Sequence, residues 1–580
     1  MFVQSLVWRR VTTYISSSNR LCDSSPMKRK LSGSVVSPLL KKQKMSVAKI
    51  TLTHRERQLR KLLLDVACYI DESKELKEKI ELRWAGGWVR DKLLNIESHD
   101  IDTAINVMTG HSFALKLKKY LEDEQNLKRH SMVAEEVGSL HKILANPEKS
   151  KHLETATTKV LSFDIDFVNL RKETYSDDSR NPQMEFGTAV EDAERRDATI
   201  NALFYNLHTD EVEDFVGGLD DLKARRIRTP LQPEQTFKDD PLRVLRLIRF
   251  ASRLEFNIDP QSEEWMSNSS VMDALKLKIS RERVGVELEK MLKGMFTAFH
   301  EITRRLMLKG NNPQSSLRYV DKLGLYPAIF MDPTARDILT PDTTRWSQAY
   351  NCLQTLESNN TPGSIYQILV RSDDARYISW ILAALAPWST IPNPEKSGSK
   401  MLPLFGTRVA QEGIKASSKI CAHINGAFKN YNQITNLKNA VAQGQAFINE
   451  RDTVGMKIRK WDADGGNWRI QALFALLVEA MNHPTSSDAA IDALFSGWQA
   501  LIDHLDNLDI MDAPAEKPLI NGSTLMRQLN AKSGPWIKVA LDICMAWQLR
   551  NPGASGPESE SAAIDEVRKR SKELEIPVNK

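Results

Sequence analysis

Cysteine is sparse in this 580-residue chain. Cys22, Cys68, Cys352, Cys421 and Cys544 lie far apart, with no Cys-x-x-Cys pair and no Cys/His cluster. That argues against a disulfide framework and a zinc site, and it fits a reducing compartment. No apolar run reaches the roughly 20 residues a bilayer-spanning helix needs, so no membrane role is expected. A strong charge of one sign is missing too: 80 basic against 75 acidic residues leave +5. Such a balance is compatible with an RNA partner without requiring one. What remains is ordinary: 41% hydrophobic residues permit normal cores, and the length allows several domains.

Acids are absent before Asp23, where Phe2, Val3, Leu6, Val7, Trp8 and Val11 mix with Arg9, Arg10 and Arg20. This acid-free amphipathic start reads as a mitochondrial presequence, although a plain tail has the same look. Met27 and Met45 offer later starts. Lys28-Arg29-Lys30 and Lys41-Lys42-Gln43-Lys44 have the spacing of a two-part nuclear import signal. The expectation is delivery to mitochondrion, nucleus and cytoplasm through alternative starts.

The chain is organised around Trp84-Ala85-Gly86-Gly87-Trp88-Val89-Arg90-Asp91 and His99-Asp100-Ile101-Asp102. Ile80, Leu82 and Trp84 alternate with polar residues, which predicts a half-buried strand. Gly86-Gly87 break it and permit positive φ or close approach of a ligand. A helix starting just after them points free backbone N–H groups into the turn, as a phosphate requires. On the next strand Asp100 and Asp102 share one face. Two such carboxylates repel unless a divalent cation joins them, and Mg²⁺ prefers a few carboxylates plus substrate phosphate oxygens. Further on, Val160 to Val168 read as one strand with Asp164 and Asp166 opposite Phe163, Ile165 and Phe167. Asp166 is a candidate third carboxylate there, and a solvated strand face is the alternative. Arg171, Lys172 and Arg180 add positive charge nearby.

Two more motifs follow. In Arg195-Arg196-Asp197-Ala198-Thr199-Ile200-Asn201-Ala202, a helix starting at Asp197 would set Asp197 and Asn201 one turn apart. They could then bond a ribose diol while Arg196 reaches phosphate. In Asp239-Asp240-Pro241-Leu242-Arg243-Val244-Leu245-Arg246-Leu247-Ile248-Arg249, Pro241 suits a first helical turn with Asp240 as N-cap. Asp240 and Arg243 then form an acceptor beside a donor. Cytosine and adenine each offer an amine donor next to a ring-nitrogen acceptor. Uracil and guanine offer the reverse and would mismatch such a pair.

From about Leu82 to Leu292 the chain resembles the nucleotidyltransferase superfamily, in the branch with CCA-adding enzymes (tRNA nucleotidyltransferases) and bacterial poly(A) polymerases. The resemblance implies an α+β nucleotidyltransferase head, a mixed sheet with helices, followed by an all-α neck, body and tail. Expected boundaries are 1–50 for targeting, 51–216 head, 217–297 neck, 298–430 body, 431–551 tRNA-binding tail and 552–580 flexible tail. It implies addition of CCA to the tRNA 3′ end from CTP and ATP, with Asp100 and Asp102 holding two Mg²⁺ ions. Gly86, Gly87, Arg90, Arg196 and Arg246 would hold triphosphate, Asp197 and Asn201 ribose, and Asp240 and Arg243 the nucleobase. Gly217-Gly218 would be a head–neck hinge, though an ordinary turn makes the same demand. The helix Ser280 to Leu292 would buttress the base-reading helix. Partial CCA addition, poly(A) synthesis and a non-catalytic tRNA-binding protein are the alternatives. No obligate protein partner is evident.

After Ala298 strand signals are scarce and Pro/Gly turns separate helical stretches. Trp346, Trp380, Trp388, Trp461, Trp468, Trp498, Trp536 and Trp547 sit mostly at apolar helical positions, as core residues do. The long polar stretch Asp123 to Thr158 reads as a loop that is either functional or disordered, the resemblance implies a mobile loop there, and its His130, His141 and His152 are expected to face solvent.

Overall fold

The computed structural model describes residues 48–577, apart from 134–135, 137, 139–140, 144–154, 177–178, 294–311, 336–338, 393–402 and 483–487. The targeting segment, apart from Ala48 to Ile50, thus lies outside the described residues. The first helix, α1 (His54–Glu72), is started by a capping box in which Thr53 and Glu56 satisfy each other's backbone N–H. The head continues through β1 (Leu82–Ala85), α2 (Gly87–Leu93), β2 (Asp100–Ile105), α3 (Gly110–Leu121), α4 (Glu124–Arg129) and β3 (His141–Ile143). Then come β4 (Thr155–Val160), β5 (Phe163–Asn169), β6 (Arg171–Ser176), β7 (Ser179–Phe186), α5 (Ala189–Glu194), β8 (Phe204–Asn206) and β9 (Glu211–Glu213).

Seven strands form one mixed sheet in the order β3-β4-β5-β2-β1-β8-β9, with β2 and β5 parallel and the other pairs antiparallel. One face is apolar. Leu59, Leu62, Leu63, Val66 and Ile70 of α1, with Phe113 and Leu117 of α3, pack on Ile101, Ile105, Ile165 and Phe167. Each such side chain contributes about 1.5–3 kcal/mol by leaving water. That face is covered by helices, so the opposite face is left to carry the aspartates.

Two expectations for the head need correction. Val160 to Val168 is not one strand: Leu161 (φ 53°) and Ser162 (φ 71°) make a two-residue turn between β4 and β5. Two positive φ angles match the right-handed twist of a hairpin, but neither residue advertises such a turn as Asn-Gly would. His130 does not face solvent. It is buried, 3.3 Å from Asp65 and within 3.5 Å of the Tyr120 hydroxyl, and burial lowers its pKa. The side chains of His141 and His152 lie outside the described residues.

Beyond the head the chain is helical: α6 (Gly218–Lys223), α7 (Pro233–Asp239), α8 (Arg243–Leu254), the helix Arg281–Leu292, and further helices to Lys569. A two-residue parallel pairing of Arg226–Ile227 with Asn257–Ile258 is the exception within the neck. One hydrophobic cluster runs from Ala198 to Leu549, and Trp346, Trp380 and Trp498 are fully buried in it. The expected body–tail boundary at 430 falls inside the helix Ser418–Ala442, so no break in packing marks it. Residues 552–580 are not all a flexible tail: Gly556–Lys569 is a helix whose Ala563, Ile564 and Val567 are buried with Leu525, Ala540 and Cys544. Their spacing of one, three and four positions is helical and apolar, which the charged residues around them concealed. Among the described residues, no helix is long and apolar enough to cross a membrane.

Candidate active site

At the end of β1 the chain turns through Gly86, whose N–H donates to Leu203 O at 3.0 Å. Its φ of 69° and ψ of −125° disfavour any side chain, and a Cβ there would lie 2.8 Å from Arg196 Nη1 and 3.6 Å from Asp102 Oδ2. Glycine at 86 therefore leaves room at the mouth of α2 beside both an arginine and an aspartate. Behind the turn, Trp84, Trp88 and Tyr205 pack as a buried aromatic cluster that sets the direction of α2.

Register brings the acids together. Asp102 pairs with Ala85 on one side and with Asp166 on the other, while Asp100 pairs with Asp164. Paired residues share a face, and all four carboxylates are solvent-exposed. Thr157 Oγ1 donates to Asp166 Oδ1 at 2.5 Å, and Lys159 lies 3.5 Å from Asp164. Protein packed around Asp102 pushes its carboxyl above the usual range, Arg196 opposes this, and Asp166 and Asp100 add to it. Among the described residues no three His, Cys, Asp or Glu side chains form a ready-made metal cage. Adjacent carboxylates on an open face instead fit a hard cation that is shared with substrate phosphate oxygens, as Mg²⁺ is.

Asp197 does not begin a helix. After α5 the chain is extended at Ala198 and makes one 3₁₀ turn, Thr199–Asn201. The expected pair still forms: Asn201 Nδ2 donates to Asp197 Oδ1 at 3.2 Å. Arg246 Nε donates to Asp197 Oδ2 at 2.6 Å, and Arg90 Nη1 to Asn201 Oδ1 at 2.5 Å. Burial works against the Asp197 carboxylate, but Arg246, Asn201 and Arg243 outweigh it and hold its pKa well below the usual range. Arg90 is buried and also bonds Asp91, so its contact here is with the Asn201 amide. Arg196 donates to Asn201 O at 3.0 Å and forks onto Asp192 Oδ2 at 3.0 and 2.9 Å, with its guanidinium over Phe204.

The third motif also differs from expectation. Asp240 is the extended residue that ends α7, and α8 starts only at Arg243. A single turn joins them, with Arg243 N–H bonded to Asp240 O and Asp240 Oδ1 accepting from Leu242 N at 3.1 Å. Proline at 241 lacks the N–H that would extend either helix cleanly. Arg283 Nη2 donates to the other carboxylate oxygen, Asp240 Oδ2, at 3.0 Å. Arg243 is buried, donates through Nη2 to Arg195 O at 2.7 Å, and lies 3.8 Å from Glu173 Oε2.

Arg283 belongs to the expected buttress, Arg281–Leu292, which proves more than a support. Its Glu287 accepts from Arg249 at 2.7 Å and lies 3.9 Å from Arg246. Arg281 anchors the same helix by donating to the carbonyls of Gly413, Ala328 and Ile329. Burial among these carbonyls lowers its pKa to about 10.

Sequence reading missed Asp192, Glu173, Arg283 and Asp214. Asp192 had a signal, lying four residues before Arg196; Glu173 and Arg283 depend on tertiary placement and had none. Asp214 accepts from the backbone N–H of Val216, Gly217, Gly218 and Leu219 and so winds the glycine pair into a fixed turn. A Cβ on Gly218 would lie 2.3 Å from Thr199 O, so this glycine has a packing reason beyond any hinge. Arg171 and Lys172 are paired with Glu173 and Glu191, and the Arg180 side chain is outside the described residues.

Residues 82–228 match the family model described as the poly A polymerase head domain. Nucleotidyltransferase lcsQ of Purpureocillium lilacinum is 48% identical over 91% of this chain and 94% of its own length. The mitochondrial CCA tRNA nucleotidyltransferase of Saccharomyces cerevisiae is 36% identical over 89% and 93%. A solved complex of a CCA-adding enzyme with CTP shares the fold, with a TM-score of 0.56 at 20% identity over 89% of this chain and 96% of that one. At such identity and coverage of whole relatives, this chain belongs to the CCA tRNA nucleotidyltransferase family.

Proposed function

We propose that the protein adds C, C and A in turn to the 3′ end of tRNA, from CTP and ATP, without a nucleic-acid template. One observation carries the reading. Arg196, Asn201, Asp197 and Arg246 form an unbroken series of hydrogen bonds ending on α8, and Gly86 sits where an added Cβ would run into Arg196 and touch Asp102 of the aspartate strand. A nucleotide lying along that series would meet a metal-binding face, a phosphate cradle, a ribose pair and a base-reading pair in the order of its own parts.

In this reading Gly86, Gly87 and Arg196 hold the triphosphate, and Asp197 with Asn201 takes the ribose hydroxyls. Arg90 and Arg246, expected to hold triphosphate, bond Asn201 and Asp197 instead and are assigned to fixing the ribose pair. Asp240 accepts from the exocyclic amine of C or A while Arg243 donates to the ring nitrogen. A site built to hydrogen-bond one edge rejects the wrong one by roughly 10⁴-fold or more. Asp100 and Asp102, with Asp166 beside them, would hold Mg²⁺ ions, two in number, which when bound acidify the attacking 3′-hydroxyl and neutralise the departing pyrophosphate.

The family supports tRNA as acceptor. The name of the yeast relative supports delivery to mitochondria, and residues 1–26 are assigned as the segment that directs it. Nuclear and cytoplasmic forms starting at Met27 or Met45 belong to the same proposal, and a fluorescent reporter fused to residues 1–26 tests it. Because Asp240 with Arg243 accepts C as well as A, poly(A) synthesis fits less well. Asp240→Ala or Arg243→Ala should lose the preference for C and A in a four-nucleotide competition while retaining some transfer. Unchanged discrimination in both variants would defeat the reading.

A further inference from the structure

We infer that Glu173 is a positioning residue for nucleobase selection, acting through Arg243; this rests on the base-reading role proposed above. Glu173 lies on β6, in the β6–β7 hairpin outside the main sheet, and its side chain is only 6% exposed. Three guanidiniums from three different elements converge on it. Arg171 Nε and Arg195 Nη1 donate to Oε1 at 3.0 and 3.2 Å, and Arg243 Nη2 lies 3.8 Å from Oε2. Arg171 and Arg195 have a second acid nearby in Asp192: Arg195 donates to Asp192 Oδ1 at 2.5 and 3.0 Å, and the Arg171 backbone N–H donates to it at 3.3 Å.

The positive crowding leaves its mark. Burial lowers the Arg171 pKa, and Arg195 lowers it further against the pull of Glu173. Neutralising Glu173 would leave Arg243 beside two like charges, and a long side chain relaxes such repulsion by swinging away. The two halves of the base reader are thus held by different parts of the chain. Asp240 is fixed by Arg283 of the neck helix, and Arg243 by Glu173 and the Arg195 carbonyl of the head. Selection depends on the spacing of donor and acceptor, and a displacement of ~1 Å from productive geometry can cost roughly 100-fold.

The test measures single-nucleotide incorporation into tRNA lacking CCA, with each of the four nucleoside triphosphates separately. Glu173→Gln keeps the shape and removes the charge. It should lower the kcat/KM ratios of CTP over UTP and of ATP over GTP by about tenfold or more, a typical effect of disturbing one specificity contact. Thermal melting should fall, because a buried acid shared by three arginines loses its charge; discrimination is therefore read as ratios within each folded variant, and Glu173→Asp should restore part of it. In the Glu173→Gln/Arg243→Ala double variant the ratios should equal those of Arg243→Ala alone, because one residue acts through the other. Intact ratios in Glu173→Gln alongside lost ratios in Arg243→Ala would overturn the inference and leave the base-reading role standing. So would an equal fall for all four nucleotides, or additive effects in the double variant. Intact ratios in Arg243→Ala would instead overturn the base-reading role and the inference with it.

Discussion

Gly86→Ala isolates the cradle from the rest of the head. The backbone at 86 has φ 69°, where a non-glycine residue costs on the order of 1–3 kcal/mol. The new methyl would stand 2.8 Å from Arg196 Nη1, too close for any real contact. A free arginine would step aside at little cost, but this one is held by two bonds to Asp192 and one to Asn201 O. Breaking a charge-assisted bond of that kind costs about 1.5–3 kcal/mol. The methyl therefore either strains the turn or expels Arg196 from the phosphate position. Stability should fall by about 1–3 kcal/mol in denaturant titration, from the backbone strain alone. Activity should fall further, by about 10²- to 10³-fold in kcat/KM for CTP, the usual effect of losing one preorganised anion-stabilising group. Binding of tRNA should be unchanged in a filter or mobility-shift assay. If Gly86→Ala melts normally and incorporates CTP at the wild-type rate, the cradle reading is wrong.

Asp100→Ala should abolish incorporation while tRNA still binds; full activity would end the metal assignment. Asp102 has a raised pKa, so the folded state takes up its proton more readily than the unfolded chain does. Its contribution to stability is therefore lost as pH rises from about 4 through the raised value, and Asp102→Asn should stabilise the metal-free protein at neutral pH while abolishing activity. A melting temperature in chelator equal to or below wild type would refute that sign. Arg283→Ala should weaken the preference for C and A less than Asp240→Ala does, because the Leu242 N–H still holds one carboxylate oxygen. Equal losses would assign Arg283 a direct contact with the base. Arg281→Met should destabilise by roughly 2–4 kcal/mol, because three buried carbonyls lose their donor.

Much of the head was legible because its chemistry is local. Alternation exposed Asp100 with Asp102, and Asp164 with Asp166, on single faces, and Gly86 had to be glycine for reasons of its own φ. The helix at Asp197 and the N-cap at Asp240 were misread because a pair of residues three or four apart can be held by other backbones. A 3₁₀ turn serves at 199–201, and a single turn between two helices serves at 240–243. What stayed hidden were the partners that fix each reader. Glu173, Arg283 and Glu287 are separated in sequence by up to 70 residues from the arginines and the acid they hold. No periodicity encodes such pairings. The β4–β5 turn escaped notice because Leu161 and Ser162 carry no turn signature.

In the proposed function, side chains of α8 and of the turn before it take the place of a template. Wild-type protein, Mg²⁺ and a tRNA lacking its last three nucleotides, supplied with all four labelled triphosphates and no other nucleic acid, put this to the test. The expected product carries C, C and A in that order from CTP and ATP, with uridine and guanosine left unincorporated. A homopolymer of A, indiscriminate incorporation of all four nucleotides, or no product at all would contradict it.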